Sequence, residues 1–210
     1  MWARASIIAF CLFSTGAAEQ HRRLFPPNEL HLVEGPDREI WQQPDRVMDS
    51  LAIGESMRVA DIGAGSGWLT VRLAVRVGPN GRVYAEDLQP EMIASMRNRL
   101  LREGSTNVTL IQGSPTDPLL PAGLHSAIVL NSLGEFENPV ELLKNVFKAL
   151  RKGGTLGIID FTKDGLGPGP PMNERVDKAF AIRVATDAGF VVDKDETYLK
   201  YQYFVIFRKK

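Results

Sequence analysis

The run VADIGAGSGWLT, Val59 to Thr70, constrains the fold more than any other part of this chain. A short apolar strand pattern ends on Asp61, and Gly63, Gly65 and Gly67 follow at alternate positions before a helical pattern opens at Trp68. A strand-to-helix turn needs glycine where the backbone takes a positive φ or lets a ligand approach closely. The spacing predicts a nucleotide-cofactor cradle, with Asp61 at its base and Ala64 carried between the glycines. It disfavours a pyrophosphate binder. The dinucleotide fingerprint wants a glycine sixth in the series, where this chain has Trp68 counted from Gly63 or Thr70 counted from Gly65.

Around this turn, strand and helix patterns alternate. Strands are expected at Arg58 to Asp61, Arg82 to Glu86, Val108 to Gln112, Ser126 to Leu130 and Thr155 to Asp160. Helices are expected near Trp68 to Val77, Pro90 to Glu103 and Pro139 to Leu150, with an earlier one starting at Pro44. Such alternation predicts an α/β fold with a mostly parallel sheet covered by helices on both faces. The last third departs from it: a helix over Glu174 to Ala188, then two strands, Val191 to Tyr198 and Tyr201 to Arg208, joined by a tight turn.

With 210 residues the chain suffices for one well-buried domain. Residues 1–18 read as a signal peptide, Arg4 preceding the apolar run Ala5 to Phe13, with small residues up to Ala18. Residues 19–37 read as a linker or lid and 38–210 as the folded domain. The leader predicts export to a bacterial periplasm or beyond, and cytoplasmic residence if it is instead a packed apolar helix. It falls short of the roughly 20 apolar residues of a membrane-spanning helix, so no stable membrane anchor is expected. Twenty-five basic residues balance 25 acidic ones, which offers no nucleic-acid footprint. The one cysteine, Cys11, lies in the leader, and the three histidines, His21, His31 and His125, are far apart in sequence. No metal site is expected.

In an open parallel sheet, ligands gather at the carboxyl ends of the strands. Beside the glycine turn, the second strand ends in Glu86-Asp87-Leu88, about twenty residues on, where a carboxylate can accept from ribose hydroxyls. Asp87 is the first choice and Glu86 the alternate. The third strand runs into Gly113-Ser114-Pro115, a turn suited to the edge of an adenine ring. After the fourth come Asn131 and then Glu135 and Phe136, with Glu135 the acid or base candidate and Phe136 facing substrate. Asp160, ending the fifth, is a further substrate contact.

Together these residues resemble the class I S-adenosylmethionine-dependent methyltransferases, from about Arg38 to the C-terminus. The family's first motif is similar to Asp61 to Gly67, its ribose-binding acid to Asp87 in AEDLQPEM, and its turn into the fifth strand to Leu150 to Gly154. The resemblance implies a three-layer Rossmann-like fold with a seven-stranded sheet of order 3-2-1-4-5-7-6 and a C-terminal antiparallel hairpin. It implies S-adenosyl-L-methionine as cofactor over strands one and two, and acceptor over strands four and five beneath an N-terminal lid. A bacterial subgroup with signal peptides opens on a segment similar to REIWQQPDRV, which would put Trp41 and Gln42 in the lid. That subgroup carries Tyr-His-Glu-Phe where this chain has Leu133-Gly134-Glu135-Phe136, so roles of the tyrosine and histidine do not transfer. Where the family's adenine acceptor is acidic this chain has Ser114, with Asp117 as the nearby substitute. The expected activity is in-line methyl transfer to a small-molecule acceptor. The alternatives are a cofactor-binding protein that does not catalyse, and a methyltransferase for protein or nucleic acid. Oligomeric state is not written in the sequence.

Overall fold

A computed structural model describes residues 24–29, 34–165 and 167–210. The expected leader, His21 and His31 lie outside the described residues. The strands are β1 (Arg58–Ile62), β2 (Arg82–Asp87), β3 (Val108–Gln112), β4 (Leu124–Leu130), β5 (Leu150–Phe161), β6 (Val191–Glu196) and β7 (Gln202–Arg208). They form one sheet in the order β3-β2-β1-β4-β5-β7-β6. β1 to β5 run parallel, and β7 lies antiparallel to both β5 and β6. The sheet order and the terminal hairpin are those expected.

The helices are α1 (Arg38–Gln42), α2 (Pro44–Ser50), α3 (Trp68–Val77), α4 (Pro90–Arg102), α5 (Pro139–Ala149) and α6 (Lys178–Asp187). Between α1 and α2, Gln43 adopts a left-handed φ of 47° that ends the first helix, and Pro44 opens the second. Alternation along the strands divides the core. Val59, Ile128, Phe204 and Ile206 pack with Val47, Met48 and Leu73 of α2 and α3. Ala60, Val129, Leu156 and Phe207 pack on the other face with Leu143 and Val146 of α5 and Val184 of α6. A smaller cluster of Ile93, Met96 and Leu100 seats α4 on Ala85.

Four local expectations shift. β5 begins at Leu150 rather than Thr155, because Leu150 pairs with Leu124 ahead of an irregularity in register and Gly153 turns at φ +74° within the strand. The final helix starts at Lys178 rather than Glu174. The Asp177 carboxylate accepts from the Phe180 amide at 2.7 Å, while the Arg175 guanidinium donates to the Thr162, Pro168 and Pro170 carbonyls and holds the preceding segment off the helix. β6 ends at Glu196, two residues early, since Tyr198 leaves the ladder to pack edge-on against Phe204 at 6.3 Å and to meet Ser50 Oγ. His125 lies inside β4, not before it, and its Nδ1 accepts from the Arg58 amide at 3.1 Å.

Phe204 is fully buried where β7, β5 and α2 converge; a Cβ on Gly157 would stand 3.2 Å from its ring. Replacement Phe204→Ala is expected to cost about 3–5 kcal/mol of stability, read as a lowered urea midpoint at unchanged slope.

Candidate functional site

The glycine turn has the backbone that its composition requires: Gly63, Gly65 and Gly67 take φ of 64°, 57° and 82°. It is held to the end of β2 by three hydrogen bonds. The Ala64 amide donates to the Glu86 carbonyl at 2.8 Å, the Gly65 amide to Asp87 Oδ2 at 2.8 Å, and the Gly63 amide to Glu86 Oε2 at 3.3 Å. A Cβ on Gly65 would meet nothing within 4 Å, so the turn faces open space there. On the other side, a Cβ on Gly63 would stand 2.5 Å from Ser132 Oγ, whose hydroxyl donates to the Ile62 carbonyl.

That open space is a cavity of about 830 Å³ at the carboxyl ends of β1, β2 and β4. It gathers most of the residues picked out in the sequence. Asp61, Gly63, Ala64, Gly65, Glu86, Asp87, Leu88, Ser114, Pro115, Asn131, Glu135 and Phe136 all line it. Asn131 has φ 61°, and its side-chain oxygen accepts from Gln202 Nε2 at 2.5 Å. Asp87 Oδ1 also accepts from the Gln89 amide at 2.9 Å.

Six of the residues singled out lie elsewhere. Gly67 caps α3 and backs onto α4, where a Cβ would stand 2.8 Å from Met96 Cγ. Gly113 makes room for its neighbour, since a Cβ there would overlap Glu86 Oε1. Trp41 packs on Phe161 with ring centroids 5.7 Å apart. Gln42 is buried and donates to Gln202 Oε1 at 2.7 Å, so it reaches the cavity only through Gln202 and Asn131. Asp160 is buried under the sheet edge and accepts from the Phe161 amide at 2.8 Å. Asp117, the substitute acid, turns away to accept from the Leu119 amide at 2.9 Å.

The cavity also holds groups that the sequence reading did not single out. The N-terminal segment crosses its mouth: Phe25 donates its amide to Glu135 Oε2 at 2.9 Å and accepts at its carbonyl from Gln89 Nε2 at 3.1 Å. Further on, Glu34 accepts from Ser66 Oγ and from the Arg99 guanidinium. In its described part this segment meets the cavity through the Phe25 backbone and the Glu34 carboxylate, whereas Trp41 packs elsewhere. Arg38 is buried at the cavity wall, its guanidinium 4.0 Å from the centre of the Trp68 ring, with Arg72 at 3.8 Å from the same ring. Burial lowers the Arg38 pKa to about 10, against the pull of Glu34, leaving it cationic at neutral pH. A single arginine in a polar helix carries no sequence signal that separates it from a solvated one.

Carboxyl groups at this edge are desolvated. Burial raises Asp61 to about 6 against the Thr70 hydroxyl that donates to it at 2.7 Å. It raises Glu135 to about 7 against the Phe25 amide, and Asp160 to about 7 against the Phe161 amide. Glu86 is pushed furthest, to about 8, and Asp87 is raised as well. Among the described residues no group of three or more His, Cys, Asp or Glu side chains is arranged to hold a metal ion.

Each of these groups binds its proton more tightly folded than unfolded, so folding is favoured below pH 4 and that advantage is lost as pH rises through the folded values, between about 4 and 8. The thermal midpoint of the ligand-free protein is expected to fall by roughly 5 °C or more from pH 5 to pH 8.5 in calorimetry, and by less in Glu86→Gln.

Comparison with known proteins agrees with this geometry. Residues 59–154 match the sequence model of a methyltransferase domain. The chain is 24% identical over 164 residues to the ubiquinone/menaquinone biosynthesis C-methyltransferase of Proteus mirabilis, covering 77% of this chain and 63% of that protein. It is 29% identical over 147 residues to the enzyme of the same name from Ectopseudomonas mendocina, covering 69% and 56%. The chain thus spans less than two thirds of the length of these curated relatives. A crystal structure of an S-adenosylmethionine-dependent methyltransferase from Aquifex aeolicus superimposes with a TM-score of 0.84 at 26% identity, over 89% of this chain and all of that one. The [4+2]-cyclase SpnF shares the fold alone, with a TM-score of 0.67 at 16% identity over 80% of each chain, so the fold by itself does not name a reaction. With the glycine turn, the carboxylate at the end of β2 and the sheet order, these comparisons agree on one likeness: residues 59–154 carry the sequence of a methyltransferase domain, and the chain has the fold of the S-adenosylmethionine-dependent methyltransferases.

Proposed function

We propose that this protein transfers a methyl group from S-adenosylmethionine to a small-molecule acceptor. The observation that carries the reading is one cavity that brings together a glycine turn of positive φ, the Asp87 carboxylate and the buried Glu135 carboxyl. The residues present suit the cofactor. Gly65 leaves backbone open to the cavity, Asp87 is placed to accept from a ribose diol, and Arg38 supplies a cation for an amino-acid carboxylate. The cofactor supplies an activated methyl carbon: the acceptor's lone pair forms the new bond as the carbon–sulfur bond breaks, its electron pair staying on sulfur.

The protein then has little covalent work to do beyond alignment and exclusion of water. The Phe25 and Glu34 contacts close the cavity mouth over the site. Glu135 serves as proton acceptor for the nucleophile. A base with a pKa of about 7 is half ionised near neutral pH and keeps enough driving force to take a proton. The neutral overall charge and the enclosed, partly apolar cavity favour a small acceptor over a polymer. An exported location, if the leader acts as one, is part of the same proposal and is decided by cell fractionation.

Calorimetric titration is expected to show binding of S-adenosylmethionine and none of NAD. Asp87→Ala should weaken the former about 10- to 100-fold, because a charged hydrogen-bond acceptor is removed. On an acceptor found by screening phenols, amines and carboxylates, Glu135→Gln is expected to lower kcat by about 10²- to 10⁴-fold while leaving cofactor affinity within a few fold. Absence of cofactor binding would sink the proposal, and an unchanged kcat would remove Glu135 from it.

A further inference from the structure

Three side-chain amides from distant parts of the chain meet in a line that ends at the cavity. Gln42 closes α1, Gln202 opens β7 and Asn131 follows β4. Gln42 and Gln202 are both buried and face each other as a pair. Gln42 Nε2 donates to Gln202 Oε1 at 2.7 Å, and Gln202 Nε2 reaches back to Gln42 Oε1 at 3.5 Å. Gln202 Nε2 also donates to Asn131 Oδ1 at 2.5 Å. The oxygen of Asn131 is thereby taken, whereas its Nδ2 meets no acceptor among the described residues. Of the three, Asn131 alone lines the cavity.

The direction of this line has a physical cause. With Gln202 Oε1 committed to Gln42, its Nε2 is what remains to face Asn131, so the Asn131 carboxamide turns its oxygen inward and its NH2 outward. The backbone there is fixed as well. Asn131 takes φ 61°, a left-handed value that asparagine tolerates, and its amide donates to the Ile159 carbonyl at 2.9 Å. Stability alone does not call for such a line, because two buried amides that exchange hydrogen bonds gain little over a pair of apolar side chains of similar shape.

We propose that Gln42 and Gln202 are positioning residues that hold the Asn131 NH2 toward the methyl acceptor, where it donates to an oxygen on which negative charge gathers during transfer. The proposal rests on the methyl-transfer reading given above and narrows the acceptor to a phenol or an enolisable ketone. Asn131 and Glu135 both follow β4 and line one cavity, so a donor and a proton acceptor come from the same edge. Glu135 takes the acceptor's proton, and the electron pair left behind is shared between the oxygen and its conjugated carbon. Whichever of those atoms faces the cofactor forms the new bond to the methyl carbon as the carbon–sulfur pair goes to sulfur. A donor fixed in advance stabilises that oxygen most when its charge is greatest, which lowers the barrier rather than tightening the ground state. An amine or a thiol offers no such oxygen.

Nitrogen-15 NMR of the full, ligand-free chain tests the direction of the line: the Asn131 side-chain NH2 is expected to exchange with solvent about tenfold or more faster than those of Gln42 and Gln202. Release of S-adenosylhomocysteine from S-adenosylmethionine is then followed with substituted phenols and 1,3-diketones as probes, beside matching anilines and thiophenols. Turnover is expected with the oxygen-bearing probes alone. In Gln42→Leu/Gln202→Leu, kcat for them should fall about 100-fold with KM within about threefold, while the thermal midpoint and the affinity for S-adenosylhomocysteine hold. Because both glutamines act through Asn131, the double variant should be no slower than Gln202→Leu alone. Asn131→Asp, which keeps the bond from Gln202 but presents no donor, should lose kcat by a similar factor. The relay is overturned, with the cofactor reading left standing, by any of four results: Asn131 protected as well as Gln202, anilines or thiophenols turned over as fast as phenols, an unchanged kcat in the double variant or in Asn131→Asp, or no turnover of any oxygen-bearing probe while S-adenosylhomocysteine still binds. Failure of the wild-type protein to bind S-adenosylhomocysteine would overturn both.

Discussion

The hydrogen bond from the Gly65 amide to the Asp87 carboxylate, with its companions from Gly63 and Ala64 to Glu86, is the contact on which the remainder of the site depends. It joins the ends of β1 and β2 where the two strands stop pairing, and it holds the turn in a conformation that only glycine adopts without strain. Once the turn is set, α3 must start at Trp68 and lean back over the sheet. The space above β1, β2 and β4 is then left open, bounded by chain that has no freedom to fill it. The same contact orients Asp87, so the turn and the carboxylate that would hold a ribose are one structural unit.

The consequence is a sheet edge crowded with desolvated acids. Asp61, Glu86, Asp87 and Glu135 share one cavity, each with its pKa raised chiefly by burial. Arg38 is the cation buried among them, stacked on Trp68. An edge optimised for stability alone would replace several of these carboxyls by apolar groups. Their presence here fits a site that gives up folding stability to hold desolvated carboxyls at a ligand cavity. Closure by the N-terminal segment works in the same currency: the Phe25 amide meets Glu135 and Glu34 meets Ser66 and Arg99, so covering the cavity and satisfying its polar groups are a single event.

Much of this was legible in the sequence, and the reasons differ by residue. Gly63 and Gly65 could be read because a positive φ at a strand end leaves a compositional mark. Asp87 could be read because its distance along the chain from that turn is set by one helix and one strand of ordinary length. Gly67 and Gly113 were equally visible as glycines but serve different ends, packing against Met96 and yielding space to Glu86. What a glycine makes room for depends on a partner far away in sequence. Trp41 and Gln42 were legible as special residues, yet their contacts, Phe161 and Gln202, come from β5 and β7.

The sequence by itself determined the alternation of strands and helices, the cradle and its acidic neighbour, because period, turn chemistry and short-range spacing are local properties of the backbone. The tertiary structure alone decided which side chains share the cavity. Arg38, Phe25 and Glu34 join it from the N-terminal segment, and Asp160 and Asp117 are turned away. It also decided the state of the acids, since a carboxyl in a sequence carries its ordinary pKa and only burial beside other carboxyls, on strands brought together by the sheet, can raise it.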